Sequence, residues 1–119
     1  MGLNLGMITT DSTDPVPLAH WWAGILDGEV LAENEGWFVV VSTPSGTLAF
    51  QKVDEVTPGK NRVHVDLVVD GDLDVEHARL VELGAASLGE RSEGENRWFT
   101  LADPQGNEFC VATEATEGP

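Results

Sequence analysis

The sequence predicts an α+β fold of two βαβββ modules, which form a curved mixed sheet with the helices outside. Three observations predict it. A strand, a helix and three short strands occur in the same order twice; the two copies share aromatic and turn residues nearly in register; and 119 residues, 41% of them hydrophobic, suffice for one domain over 1–119 but not for two of ordinary size.

In the first copy, about residues 3–53, Leu5 to Thr10 reads as a strand. Asp11, Ser12, Thr13, Asp14 and Pro15 form a helix-start cluster. A helix follows from about Val16 to Leu26, with Leu18, Trp21, Trp22 and Ile25 on one face at three- and four-residue spacing, and Asp27-Gly28 ends it. Then come a strand at Glu29 to Ala32, a polar turn at 33–36, a β-rich run Trp37 to Val41, the Thr43-Pro44-Ser45-Gly46 turn and a last strand from Leu48 to Val53.

The second copy, about residues 62–113, opens with a strand from Arg62 to Val69. Asp70-Gly71-Asp72 caps a helix from Leu73 to Leu83, and Gly84 stops it. Three short strands follow, separated by Ser92-Glu93-Gly94-Glu95 and Asp103-Pro104-Gln105-Gly106. Trp37-Phe38 matches Trp98-Phe99, Pro44-Ser45-Gly46 matches Pro104-Gln105-Gly106, and Phe50-Gln51 matches Phe109-Cys110. Asp54 to Asn61 is then a linker. One module alone would leave a sheet face bare, so two are expected to pair around a cavity. The acidic segment Thr113 to Pro119 has no pattern and is expected to be mobile.

Composition narrows the function. Six Lys and Arg against 21 Asp and Glu give a net charge of −15, which repels a phosphate backbone, so nucleic acid is not an expected partner. The acidity serves solubility or attracts a cationic small molecule. No stretch is long and apolar enough for a membrane helix and no leader pattern opens the chain, so the expectation is a cytoplasmic protein with no membrane partner. Cys110 stands alone, which rules out an internal disulfide and a cysteine-based zinc site. Phosphate loops, Ser-His-Asp order and metal-protease motifs are missing.

The strand His64 to Asp70 leading into a helix, the helix end Leu83-Gly84-Ala85, and above all the turn Asp103-Pro104-Gln105-Gly106-Asn107-Glu108 resemble the vicinal oxygen chelate superfamily, in particular its glyoxalase-like and bleomycin-resistance-like small proteins. The resemblance spans nearly the whole chain. It implies a homodimer and a ligand or a divalent metal on the concave sheet face. In that family, His or Gln from the first strand and Glu from the last strand of each module hold the metal.

Carried over residue by residue, the pattern gives His64 in the second module and, 59 positions earlier, Leu5, which cannot bind metal. Gln51 takes the last-strand position of the first module and Cys110 that of the second, with Glu108 on the same strand face as a substitute. His64, Glu108 and Gln51 are the metal candidates, with Cys110 as a further donor; with this broken set no cofactor is expected, and a divalent metal is the alternative. His64 and Asp66 are the catalytic candidates, as a base held by a carboxylate. His20 and His77 read as surface or edge residues and Cys110 as a packing thiol. Trp37 and Trp98 occupy equivalent strands and read as core or as an aromatic wall. The resulting expectation is a small-molecule-binding protein for a cationic or aromatic compound, with Trp37, Gln51, His64, Asp66, Trp98, Glu108 and Cys110 as ligand-binding residues. A metal-dependent lyase, isomerase or dioxygenase is the alternative, and a purely interacting module a third.

Overall fold

The computed structural model describes residues 5–61 and 63–113, so the segment from Glu114 onward lies outside the described residues. The chain forms two compact units that divide between Pro58 and Gly59, inside the expected linker. Each unit has its own four-stranded mixed sheet and one helix, so the architecture is α+β.

The first unit comprises β1 (Ile8–Ser12), α1 (Pro15–Ile25), β2 (Glu29–Ala32), β3 (Phe38–Thr43) and β4 (Gly46–Lys52), in the sheet order β1-β4-β3-β2. β1 runs parallel to β4 and the other pairs are antiparallel. Pro15 starts α1, where its fixed φ suits the helix and its missing N–H leaves nothing unpaired. Leu18, Ala19, Trp22 and Ala23 recur at helical spacing and are buried, as are Val39, Val41 and Phe50 on one sheet face. Trp21 is only half-buried and meets Trp22 edge to face, with centroids 5.3 Å apart.

β1 begins three residues later than expected and runs on through Asp11 and Ser12, which had read as helix-start residues. The parallel ladder to β4 persists as far as Ser12↔Lys52. The buried Ser12 hydroxyl accepts the Asp14 N–H at 3.0 Å, so the capping chemistry belongs to the strand's last residue.

The second unit repeats the plan with β5 (Val65–Val68), α2 (Leu73–Glu82), β6 (Ala86–Glu93), β7 (Asn96–Ala102) and β8 (Glu108–Ala112), in the order β5-β8-β7-β6. Asp72 caps α2 by accepting the Val75 N–H at 3.0 Å. Gly84, at φ +111°, turns the chain out of the helix while the Ala85 N–H returns to the Leu80 carbonyl at 3.0 Å. Leu73 and Leu80 are buried, as are Phe99, Leu101, Phe109 and Val111, which alternate onto one sheet face. His77 of α2 stacks on Phe99 at 3.8 Å and meets Ser87 Oγ at 2.8 Å, so from a half-buried position it clamps helix to sheet. β5 is shorter than expected: Arg62 lies outside the described residues, and His64 stands one residue ahead of the strand.

Arg97 ties the rim of this unit together. It donates to Asp74 at 2.6 Å and to Glu90 at 2.8 Å, and its guanidinium lies 5.5 Å from the centre of Phe99. The hydrogen bond from Arg97 holds the Asp74 carboxyl below the usual aspartate range. A carboxyl whose pKa falls on folding stabilises the fold above its unfolded pKa and loses that contribution as the pH falls through its folded value. Replacing Arg97→Met is therefore expected to lower the melting temperature at neutral pH. The deficit should shrink as acid protonates Asp74, and a deficit constant with pH would contradict the assignment. Asp74 is exposed, so solvent screens the pair and its contribution to stability is modest.

Candidate functional site

In the second sheet, side chains alternate between the α2 side and the opposite face. Phe99, Leu101, Phe109 and Val111 take the first; Trp98, Thr100, Glu108 and Cys110 take the second, joined by Asp66 through the Asp66↔Cys110 pair. One step back along the β5–β8 register from Val65↔Phe109, His64 falls level with Glu108. Trp98, Thr100 and Cys110 are buried, Glu108 and His64 are half-buried, and Asp66 is exposed, so the face grades from dry to wet.

Three features give this face its chemistry. Trp98 is 8% exposed, and its indole Nε1 is buried without a hydrogen-bond partner among the described residues. Such a donor is destabilising unless something accepts from it. Cys110 Sγ lies 3.6 Å from Thr100 Oγ1, and burial pushes the thiol pKa up, so it is a protonated packing group. Glu108 is held on both sides of its peptide by Asn61, whose Oδ1 accepts the Glu108 N–H at 2.8 Å and whose Nδ2 donates to the Glu108 carbonyl at 3.1 Å. The neighbouring Lys60 places its ammonium 3.8 Å from Glu108 Oε1.

His64 and Asp66 share this face two residues apart, and no hydrogen bond joins them among the described residues. Lys60 and Asn61 were read only as linker. The contact spans 47 residues, which no local pattern reveals.

In the first sheet, Gln51 is exposed and shares a row with Asp11 and Phe38. The registers Thr10↔Phe50 and Val65↔Phe109 make Asp11 the counterpart of Asp66, and Thr9 the counterpart of His64. This corrects the pairing of His64 with Leu5, which lies before β1 and is 83% exposed. The second module carries four more residues between its first-strand and last-strand anchors, so a constant offset fails there. Asp11 was missed because it sat in the helix-start cluster.

Trp37 and Trp98 are not equivalent either. Trp98 lies inside β7, whereas Trp37 follows a 3-10 turn at Asn34–Gly36, precedes β3 and is 64% exposed. It borders a separate cavity of about 260 Å³ at the start of α1, with Asp14, Glu35 and Lys52 among the lining residues.

The glyoxalase-like domain family matches residues 7–112. The chain belongs to that family. This glyoxalase-like chain shares its fold with solved members of the vicinal oxygen chelate superfamily. A fosfomycin resistance protein of Listeria monocytogenes, solved with manganese(II) and 1S,2S-dihydroxypropylphosphonic acid, superposes at TM-score 0.81 with 17% identity, covering 98% of this chain and 94% of its own. The corresponding protein of Mesorhizobium loti gives 0.77 with 16% identity, over 98% and 95%. A lactoylglutathione lyase of Agrobacterium tumefaciens gives 0.69 with 13% identity, over 92% of each chain. No curated protein sequence matches significantly.

His64, Glu108 and Cys110 of the second unit are, by their chemistry, a weak donor set for a divalent metal. Among the described residues no three His, Cys, Asp or Glu side chains gather as a metal-holding group. Glu108 already faces an ammonium, and the register counterpart of His64 is a threonine, a weak ligand. Among the described residues no helix is long and apolar enough to cross a membrane.

Proposed function

We propose that this glyoxalase-like protein binds a small aromatic or cationic organic molecule against the helix-free face of its second sheet, without a complete metal site. The observation that carries the reading is the buried, unpartnered indole N–H of Trp98. A ligand that offers it an acceptor relieves the unpaired donor, and the ring supplies an apolar wall. Asp66, exposed on the same face, suits a positive group on the ligand. The net charge of −15 draws such a ligand in. A homodimer belongs to the same proposal, and sedimentation velocity reads it directly.

The test is a fluorescence titration with a panel of cationic aromatic amines, on the wild-type protein, Trp98→Phe and Asp66→Asn. Trp98→Phe is expected to weaken binding at least about tenfold, by losing a hydrogen bond made in a dry site. It should also leave the ligand-free protein as stable as before or more so, because the buried N–H is gone. Binding indifferent to Trp98→Phe, or no binding across the panel, would overturn the reading. The rival reading, a metal-dependent lyase, isomerase or dioxygenase, requires metal at His64 and Glu108, which the titration below reads.

A further inference from the structure

The contacts around Glu108 go beyond that reading and do not depend on its ligand. In a metal-binding relative of this fold, a last-strand carboxylate would have a cation as its counter-charge. Here the chain itself delivers one. Asn61 locks the end of the linker onto the first residue of β8 through both hydrogen-bonding groups of the Glu108 peptide, and donates further to the Val63 carbonyl at 2.5 Å. This brings Lys60 beside Glu108, with Nζ 3.8 Å from Oε1. The reach of that ammonium extends along the face: its positive charge also acts on Cys110, where it opposes the effect of burial.

We propose that the Lys60 ammonium is a built-in cation at Glu108, which takes the electrostatic place of a divalent ion and bars such an ion from that carboxylate. An ion ligated by Glu108 would sit about 2 Å from the carboxylate oxygen and hence within a few ångströms of Nζ. At that separation the like charges repel, and the half-burial of Glu108 lessens the screening, so one cation disfavours the other. The pairing also makes chemical sense of the Cys110 position. With the charge of Glu108 already matched by Lys60, nothing on this face requires a second anionic ligand, and a neutral thiol packed on Thr100 is tolerated.

The test uses Mn²⁺ alone, with the free aquo ion counted by electron paramagnetic resonance against the full-length protein. Four proteins decide it: wild type, Lys60→Gln, Lys60→Gln with Glu108→Gln, and Lys52→Gln. The last makes the same change in net charge on the first unit. The wild-type protein and Lys52→Gln are expected to show only weak, unsaturated uptake. Lys60→Gln should bind one ion at least about tenfold more tightly, because the repelling charge is gone. The double variant should lose that gain, because the ligand is gone. Equal uptake by Lys60→Gln and Lys52→Gln would overturn the proposal. So would a gain that survives Glu108→Gln, or tight stoichiometric binding by the wild type. Tight stoichiometric binding by the wild type would also count against the metal-free reading, whereas the other results leave the quenching of Trp98 by organic ligands untouched, so the two proposals fail distinguishably.

Discussion

Phe109→Ala is expected to destabilise the protein by about 3–5 kcal/mol, the largest effect of any single truncation in the second unit. Phe109 is 1% exposed and sits in β8, flanked by Val65 of β5 and Leu101 of β7 in the registered rows. Its ring points to the α2 side, where Leu73 and Leu80 are also buried. Truncation removes the ring's burial and leaves a hole that four hydrogen-bonded strands cannot collapse to fill. Total stabilities lie at about 5–15 kcal/mol, so such a loss is a large share of the whole. In urea the midpoint should fall with little change in slope. Val75→Ala is the control: that residue of α2 is 66% exposed, and its truncation should stay within about 0.5 kcal/mol. Similar shifts for the two variants would mean that the α2 side of this sheet is not a close-packed core.

The pattern that makes Phe109 a core residue was legible in the sequence, and the reason is local. Duplication placed a helix and three short strands twice, and each helix announced itself through apolar spacing with Pro15 or Asp72 at its start. The turns were legible because Pro-x-Gly between apolar runs has few other uses. Register was not. Whether β1 begins at Leu5 or Ile8 depends on which residues of β4 accept its parallel ladder, a choice made some 40 residues away. The mistaken pairing of Leu5 with His64, and the overlooked Asp11, both follow from that.

The tryptophans failed for a related reason. A Trp-Phe pair in each copy looked equivalent, but side chains on a strand alternate, so an offset of one residue moves a ring to the other face. In the first unit the preceding 3-10 turn, with Asn34 and Glu35 at positive φ and Asn34 Nδ2 bonded to the Phe38 carbonyl at 2.7 Å, absorbs the residue that β7 keeps in register. Lys60 and Asn61 were invisible for the opposite reason: their composition reads as linker, and only the closure of β8 against that segment gives them a role.

Asp103→Ala is expected to be the most damaging change outside the apolar core. This aspartate opens the turn that carried the family resemblance, yet its part is structural. It is 4% exposed, and its Oδ1 accepts the backbone N–H groups of Gln105 and Asn107, each at 2.9 Å, while the Asn107 side chain donates to Oδ2 at 3.0 Å. Backbone bonds from Asp103 N to the Asn107 carbonyl and from Gly106 N to the Asp103 carbonyl close the loop, with Gly106 at φ +91°. An alanine leaves three donors without their acceptor. Hydrogen bonds to a charged group contribute about 1.5–3 kcal/mol each, and the exposed members of the turn recover water, so a net loss of about 2–4 kcal/mol is expected. Asp103→Asn retains one oxygen for the two backbone donors and should lose roughly half as much.

The consequence reaches the ligand face, because Glu108 begins β8 directly after this turn and depends on its position for the Asn61 clamp. Asp103→Ala should therefore loosen Glu108 as well as lower the melting temperature, so that amide exchange at Glu108 accelerates more than at Val111. Exchange raised uniformly along β8 would assign the turn to global stability alone. Preferential loss at Glu108 would make Asp103 the residue that positions the carboxylate Lys60 faces.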